Sequence, residues 1–276
     1  MASGTVLVTG ASSGIGEATV LHLRELGFEP VAGVRKDEDA ERLGSSGIRS
    51  VRLDVTDADQ IAAVRAELGE GALAGLVNNA GIAIAAPLEF LPVEQLRHQL
   101  EINLIGQVAV TQALLPALRR ARGRVVNISS IGGRVAVPLL GAYNMSKFGL
   151  EAFSDVLRRE LRPQGVNVIA IEPGGIKTLI WRKGGEVAEE IRAGTTAEGR
   201  ELYAPMVAAI RKRSADIERV RGLPPRAVAE VIGTALTADR PRARYLVGKD
   251  AKARALVARV VPDRVMDRLI GRALGG

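Results

Sequence analysis

Residues 5–16 read TVLVTGASSGIG. An apolar, β-branched run from Thr5 to Thr9 enters the turn Gly10-Ala11-Ser12-Ser13-Gly14-Ile15-Gly16, and a helical pattern follows at once. A strand that feeds a glycine-rich turn into a helix leaves the helix's first N–H groups free at the positive end of its dipole, a place that attracts phosphate. Glycine suits Gly10, Gly14 and Gly16 because a side chain there would hold a pyrophosphate, or the helix itself, away from the backbone. Alone, such a turn is also a tight strand-to-helix connection and nothing more; its place after the first strand of a parallel-sheet pattern gives it weight.

The rest of the chain supplies that pattern. Short apolar runs at Thr5–Thr9, Pro30–Val34, Ile48–Leu53, Gly75–Asn78, Arg124–Ser129, Val166–Ile171 and Arg244–Val247 alternate with helical stretches near 15–27, 57–69, 92–121, 143–162 and 225–238. The alternation predicts an α/β fold: a Rossmann-type, doubly wound, seven-stranded parallel sheet with helices on both faces. Pro116 is expected to interrupt the 92–121 stretch and Pro163 to end the 143–162 stretch. Leu150, Phe153, Leu157 and Leu161 recur at helical spacing and mark a buried face. At 276 residues with 47% hydrophobic content, one domain spanning 1–276 is expected.

Two segments stand apart. Residues 176–222 lose strand character and hold Trp181, Tyr203 and Met206, an insertion longer than ordinary connections; a helical lid over a substrate is expected, the alternative being a helical excursion that touches no ligand. Residues 250–276 form an amphipathic helical extension, with Leu256, Val257, Val260, Val261, Leu269 and Ile270 set against arginines, and Pro262 dividing it in two. Packing on the body or on a second subunit is preferred to contact with a membrane surface.

Composition removes several classes of function. Cysteine is absent, which excludes disulfides, thiolate nucleophiles and cysteine-based zinc sites. His22 and His98 are the only histidines and each falls in a helical pattern, so no metal is expected. No signal-peptide pattern and no run of about 18 apolar residues occur, and a cytoplasmic protein is expected. The formal charge of +7 is concentrated: residues 211–276 hold 16 Lys and Arg against 7 Asp and Glu, the remainder 22 against 24. With aromatics at 3% there is no stacking platform for bases, so the basic tail reads as a solvated surface or an interface with something anionic, and nucleic acid is not an expected partner.

At the end of the second strand Val34 stands where a carboxylate would bind ribose hydroxyls, and Arg35 and Lys36 follow; they are either partners for a 2′-phosphate or surface bases at a strand end. Asp54, before Val55, would accept from an adenine amino group or cap the helix beginning near Asp57. Asn78-Asn79-Ala80-Gly81 ends the fourth strand, where open sheets of this kind bind ligands. Ser130 is followed thirteen residues later by Tyr143 and four after that by Lys147, the last two on one helix face.

Taken together, the turn at 9–16, Asn78-Asn79-Ala80-Gly81, Asn103, Ser130, Tyr143-x3-Lys147 and Pro173-Gly174 resemble the short-chain dehydrogenase/reductase family over nearly the whole chain. The resemblance implies hydride transfer between a nicotinamide cofactor and an alcohol or carbonyl, with a tetrad of Asn103, Ser130, Tyr143 and Lys147. In that scheme Tyr143 is the general acid or base, Ser130 holds the substrate oxygen, and Asn103 holds a water linking Lys147 to solvent. It implies cofactor contacts from Gly10, Ser12, Ser13, Gly14, Ile15 and Gly16, then Arg35, Lys36, Asp54, Val55, Asn79, Ala80 and Gly81, then Tyr143 and Lys147, and at the nicotinamide end Pro173, Gly174, Ile176 and Thr178. Arg35 and Lys36 favour NADP over NAD, although Ser13 stands where many NADP-using members carry a base. A phenol with a reference pKa of about 10 is a poor base at neutral pH. An ammonium about 4 Å away is worth roughly 4 kcal/mol before desolvation, which would bring the Tyr143 phenol down.

Ser130, Tyr143, Val137, Leu140 and Trp181 are the expected substrate contacts, and the apolar segments around them predict a lipophilic alcohol or ketone, similar to steroid or retinoid substrates. A 3-oxoacyl thioester reductase and an NADP-binding regulator without turnover are the alternatives. Met145 would crowd the pocket or fill the core. The resemblance also implies a homodimer or homotetramer through the helices near 92–121 and 143–162.

Overall fold

A computed structural model describes residues 3–274. Strands β1 (Thr5–Thr9), β2 (Glu29–Val34), β3 (Arg49–Arg52), β4 (Leu73–Asn78), β5 (Arg124–Ile128), β6 (Asn167–Pro173) and β7 (Arg244–Val247) form one sheet in the order 3-2-1-4-5-6-7. Every neighbouring pair is parallel. The order reverses between β1 and β4, so the connections leave opposite faces there and open a crevice at the carboxyl ends of the strands. The predicted seven-stranded, doubly wound sheet is therefore what the chain forms.

Alternation along β1 shows how the two faces are filled. Val6 and Val8 point to one layer, with Val20 and Leu23 of α1 (Gly14–Glu25) and Val228 and Ile232 of α9 (Pro225–Thr237). Leu7 points to the other, with Val64 of α3 (Ala58–Leu68), Leu114 of α5 (Gly106–Ala121) and Leu157 of α6 (Gly141–Leu161). Val6, Leu7 and Val8 are all fully buried, the signature of a central parallel strand.

Helix α2 (Asp37–Gly44) lies between β2 and β3. Asp37, Glu38 and Asp39 in its first turn complement the helix dipole. Only Leu43 is buried, so the segment carries no apolar periodicity to announce it. Helix α3 is capped by Asp57, whose carboxylate accepts from Asp59 N at 3.0 Å and Gln60 N at 3.1 Å. Asp54 instead closes the preceding loop, accepting from Thr56 N and Oγ1. Asp57→Ala is expected to cost about 1 kcal/mol and to lower the thermal midpoint by roughly 2 °C; an unchanged melting curve would show that water replaces the cap without loss.

The long helical stretch is broken, but not at Pro116. Helix α4 (Val93–Leu100) passes through a π-helical turn at Glu101–Ile105 into α5, and α5 then runs unbroken through Pro116. Proline removes the bond to the carbonyl four residues back. That carbonyl belongs to Gln112, and Gln112 and Pro116 are both exposed, so water can take the orphaned oxygen. Pro163 does fall just after α6, in a short 3₁₀ turn.

The 176–222 segment folds as α7 (Ile180–Gly194) and α8 (Ala197–Asp216) followed by a π turn, and the C-terminal extension as α10 (Lys249–Val260) and α11 (Asp263–Ala273), divided at Pro262. The face that the extension packs inward is only partly the predicted one. Ala251 and Ala255 of α10 meet Ile131, and Ile270 and Leu274 meet Leu139 and Ile210, whereas Leu256, Val260 and Leu269 are exposed. The break at Pro262 shifts the helical phase, so the large residues of the two halves do not share one stripe. Among the described residues no helix is long and apolar enough to cross a membrane.

Candidate active site

At the end of β1 the backbone turns through Gly10 at φ 62° and Gly14 at φ 59°, a region that L side chains rarely enter. A Cβ on Gly10 would lie 2.7 Å from Ala80 Cα, and one on Gly16 would run into the Gly10 carbonyl. The turn is tied to the end of β4: Asn79 Nδ2 donates to Thr9 O and Gly10 O at 2.9 and 3.0 Å, and Thr9 Oγ1 accepts from Asn79 N and Ala80 N.

From this cradle an open cleft of about 480 Å³ runs along the carboxyl edge of the sheet. At one end stand Arg35, Asp54 and Val55; Ser12, Ser13, Gly14, Ile15, Asn79, Ala80 and Gly81 line the middle; Ser130, Tyr143, Lys147, Pro173, Gly174, Ile176, Thr178 and Trp181 line the far end. The length, the bare glycine backbone in the middle and the base at one end fit a dinucleotide. Gly16 serves packing beneath the turn rather than the wall. Lys36 is not part of the wall either: its backbone is extended, which turns its side chain away from that of Arg35. A base the sequence did not single out, Arg42, lies nearer the turn. Its guanidinium donates to Ser12 O at 2.6 Å and pairs with Glu17.

Burial pushes the Asp54 carboxyl up, but the hydrogen bonds from Thr56 and the charge of Arg35, 3.7 Å away, outweigh it and hold Asp54 below the ordinary carboxylate range.

At the far end, Tyr143 and Lys147 lie one turn apart on α6, with Lys147 Nζ 5.7 Å from the centre of the phenol ring. Lys147 Nζ donates to Ile128 O at 2.8 Å, which anchors it to the end of β5. Burial lowers the Lys147 pKa to about 8, with Glu151 one turn further along pulling it back up. Tyr143 moves opposite to the expectation: burial raises its pKa, and the hydrogen bond of Ser130 only offsets part of that. Desolvation decides, because removing a phenolate from water costs more than the Ser130 hydrogen bond returns. Ser130 caps a 3₁₀ turn, its Oγ accepting from Gly132 N at 3.0 Å, which leaves its own proton to donate.

Asn103 sits fully buried in the π turn, where its amide accepts from Ile82 N at 2.8 Å and donates to Ile82 O at 2.9 Å and Ser146 Oγ at 3.1 Å. Both amide donors are spent on protein, so the side chain ties the Ile82 segment to α6. Gln99, one turn earlier, does the same for Ile82 O and Ile84 N. The pair fixes the Ile82–Ile84 wall of the cleft. Asn144 likewise clamps the loop over α6, donating to Gly132 O and accepting from Val137 N. Met145 neither crowds the pocket nor fills the core; it is exposed beside Phe148 on the outer face of α6. That outcome follows from helical phase, since the inward positions belong to Tyr143, Ser146 and Lys147.

Helix α7 reaches the site. The Trp181 ring lies 5.9 Å from that of Tyr143, tilted by 56°. Gly184 lets α7 rest on the Ala83 carbonyl, which a Cβ would strike. Val137 and Leu140 do not line the long cleft but a smaller cavity of about 70 Å³ behind Ser130 and Tyr143.

A dinucleotide cradle at the switch point of such a sheet, ending at a buried Tyr–Lys pair beside a serine, defines a nicotinamide-dependent oxidoreductase. The sequence model of the short chain dehydrogenases matches residues 4–187, and the chain belongs to that family. It is 40% identical over 256 residues to a 3-amino-tetrahydro-pyrrolizinone reductase of Xenorhabdus hominickii, covering 90% of this chain and 88% of that one. It is 37% identical over 286 residues to retinol dehydrogenase 5 of Mus musculus, covering 96% and 87%. Among solved structures, a short chain dehydrogenase of Burkholderia cenocepacia in complex with NADP superposes with a TM-score of 0.76 at 25% identity, covering 97% of this chain and 96% of that one.

Proposed function

We propose that the protein interconverts a lipophilic ketone and the corresponding secondary alcohol with NADP(H). The observation that carries this reading is the meeting of Ser130, Tyr143 and Lys147 at the end of a cleft where Ile82, Ile84, Trp181 and Val187 supply apolar wall, with Gln95 and His98 among its polar lining. When bound, the nicotinamide supplies or accepts the hydride. Ser130 Oγ, fixed by Gly132 N, donates to the substrate oxygen and stabilises the charge that builds there. Burial keeps the Tyr143 phenol protonated, loaded to give its proton to that oxygen during reduction; in oxidation it takes the proton back. Lys147, held on Ile128 O, places an ammonium where the phenolate forms.

The mouse relative is named a retinol dehydrogenase, and the reading extends to retinoid- or steroid-like molecules. Exposed Met145, Phe148 and Val156 make an apolar stripe along α6, in keeping with self-association through that helix. For the cofactor, apolar Val34 leaves no carboxylate to repel a 2′-phosphate, Arg35 stands at the rim, and the Burkholderia relative holds NADP.

A panel of hydrophobic ketones and alcohols, followed by the absorbance of the reduced nicotinamide with each cofactor, tests the proposal. Turnover with NADPH is expected, and Arg35→Ala should weaken NADPH by about 10- to 100-fold, the worth of a charge-assisted hydrogen bond, with NADH little affected. A clear preference of the unmutated protein for NADH would overturn the cofactor assignment. Turnover of oxoacyl thioesters but not of free ketones would overturn the substrate class.

A further inference from the structure

The small cavity behind the catalytic pair has a wall that a purely apolar substrate does not explain. It shares Ser130, Tyr143, Gly174 and Trp181 with the cofactor cleft, and Val135, Val137, Leu140 and Ile210 make it apolar on one side. Its other side carries Arg213 from α8, Arg254 from α10 and Asp250.

Among the described residues, the charges of this wall do not balance. Asp250 spends one carboxylate oxygen on Gly175 N at 3.0 Å. Among the described residues, neither Arg213 nor Arg254 has a carboxylate within 4.0 Å. Both arginines are only partly exposed. Burial pushes the Arg213 guanidinium below its ordinary value, and the more distant Asp250 does not restore it. Among the described residues, two guanidinium groups against one already engaged carboxylate leave the pocket net positive. A partly desolvated cation without a partner is costly to keep, and a ligand anion would relieve that cost. The cavity's volume, about 70 Å³, is that of about two waters in the liquid; it suits an oxyanion group but not a ring system.

We infer that Arg213 and Arg254 hold an anionic group of the substrate, so that the preferred ketone or alcohol is an amphiphile with a carboxylate, sulfonate or phosphate close to its reacting carbon. The apolar remainder of such a molecule would lie under the lid, along Ile84 and Val187. The inference rests on Ser130 and Tyr143 being the reaction centre, and it narrows the substrate from lipophilic to lipophilic with an anionic head. The arginines come from the two segments, lid and C-terminal extension, that the sequence sets apart from the body, so specificity would be carried by elements outside the sheet.

The protein has a single tryptophan, and Trp181 lines both cavities, so its fluorescence reports occupancy without any need for turnover. We would titrate the full-length protein with octanesulfonate and with octanol, and repeat both with Arg213→Met and Arg254→Met. The expected result is saturable binding of octanesulfonate that is tighter than that of octanol, and that weakens about 10- to 100-fold in Arg213→Met. Octanol and NADPH affinities should be unchanged, which shows that the variant is folded. Equal affinity for the two ligands, no response to octanesulfonate, or sulfonate binding indifferent to both substitutions would overturn the inference. Turnover of neutral ketones, measured alongside, separates the two readings. Its absence with arginine-dependent sulfonate binding intact strikes the proposed reaction alone, whereas turnover without anion preference strikes the arginine site alone.

Discussion

Tyr143→Phe is expected to lower the rate of hydride transfer by about 10²- to 10⁴-fold, the usual worth of a positioned general acid, while leaving cofactor binding near that of the unmutated protein. The substitution removes one oxygen and keeps the ring that faces Trp181 at 5.9 Å and Lys147 at 5.7 Å. The cradle at Gly10–Gly16 and the anchor of Lys147 on Ile128 O lie apart from the phenol oxygen, so neither should move. The loss should therefore appear in kcat with little change in the KM for cofactor, the pattern of an interaction made chiefly in the transition state. Cofactor affinity is measured separately by the rise in thermal midpoint with added NADPH, which by mass action grows with the logarithm of ligand concentration over Kd. A Phe variant within tenfold of the normal rate would mean that another group delivers the proton, and the assignment of Tyr143 would fall. Loss of the thermal response would instead mean that the phenol holds the cofactor, an outcome that also removes the predicted separation of the two roles.

Some of this site is legible in the sequence because spacing carries it. A strand, a glycine turn and a helix can close only one way, and Tyr143 and Lys147 four apart on a helix must share a face. Most of the seven strands are legible for the same reason, as apolar runs with turn residues at their ends, whereas β3, Arg49-Ser50-Val51-Arg52, shows itself by the apolar residues set among polar ones through Ile48–Leu53. What escapes is whatever depends on contacts between distant segments. Helix α2 buries one side chain, so no periodicity reveals it. The π turn that carries Asn103 is bonded backbone to backbone, and no residue type encodes it; only the fold shows that Asn103 and Gln99 are committed to the Ile82–Ile84 wall. Desolvation of Tyr143 depends on how deeply α6 is covered, which residue spacing does not state. The arginines of the small cavity escape most completely, because Arg213 and Arg254 are forty-one residues apart and look like members of a diffuse basic tail until α8 and α10 bring them to one wall.

Arg244→Ala is expected to cost about 3 kcal/mol of stability at neutral pH, the lower part of the range for breaking a buried ion pair from one side, since Arg244 keeps 29% of its side chain exposed. At the start of β7 its guanidinium meets three carboxylates: Glu151 at 2.9 Å, Asp155 at 2.9 Å and Glu172 at 3.2 Å. Glu172 is fully buried on β6 and has one other cation beside it, Arg134. Removing Arg244 leaves negative charge in a place that water reaches poorly, which is why the cost exceeds that of a surface pair. The pH dependence has a definite sign. The hydrogen bond from Arg244 is the chief reason that the Asp155 pKa falls to about 2. Its contribution is fully present above the ordinary carboxylate value of about 4 and is lost as the pH falls towards about 2. Glu172 runs the other way: burial raises its pKa against the pull of Arg134, so charging it costs stability, and acid relieves that cost. Without Arg244, Asp155 and Glu172 take up protons more readily in the folded state, and the deficit of the variant should shrink as the pH is lowered from 7 towards about 4. Urea unfolding of both proteins across that interval measures it. A deficit below about 1 kcal/mol at neutral pH would place the cluster among solvent-screened pairs, and a deficit that grows in acid would reverse the assigned sign. Activity should fall with stability, because Glu151 lies one turn beyond Lys147 on α6 and Glu172 directly precedes Pro173-Gly174, so the same guanidinium braces the two segments that border the reacting atoms.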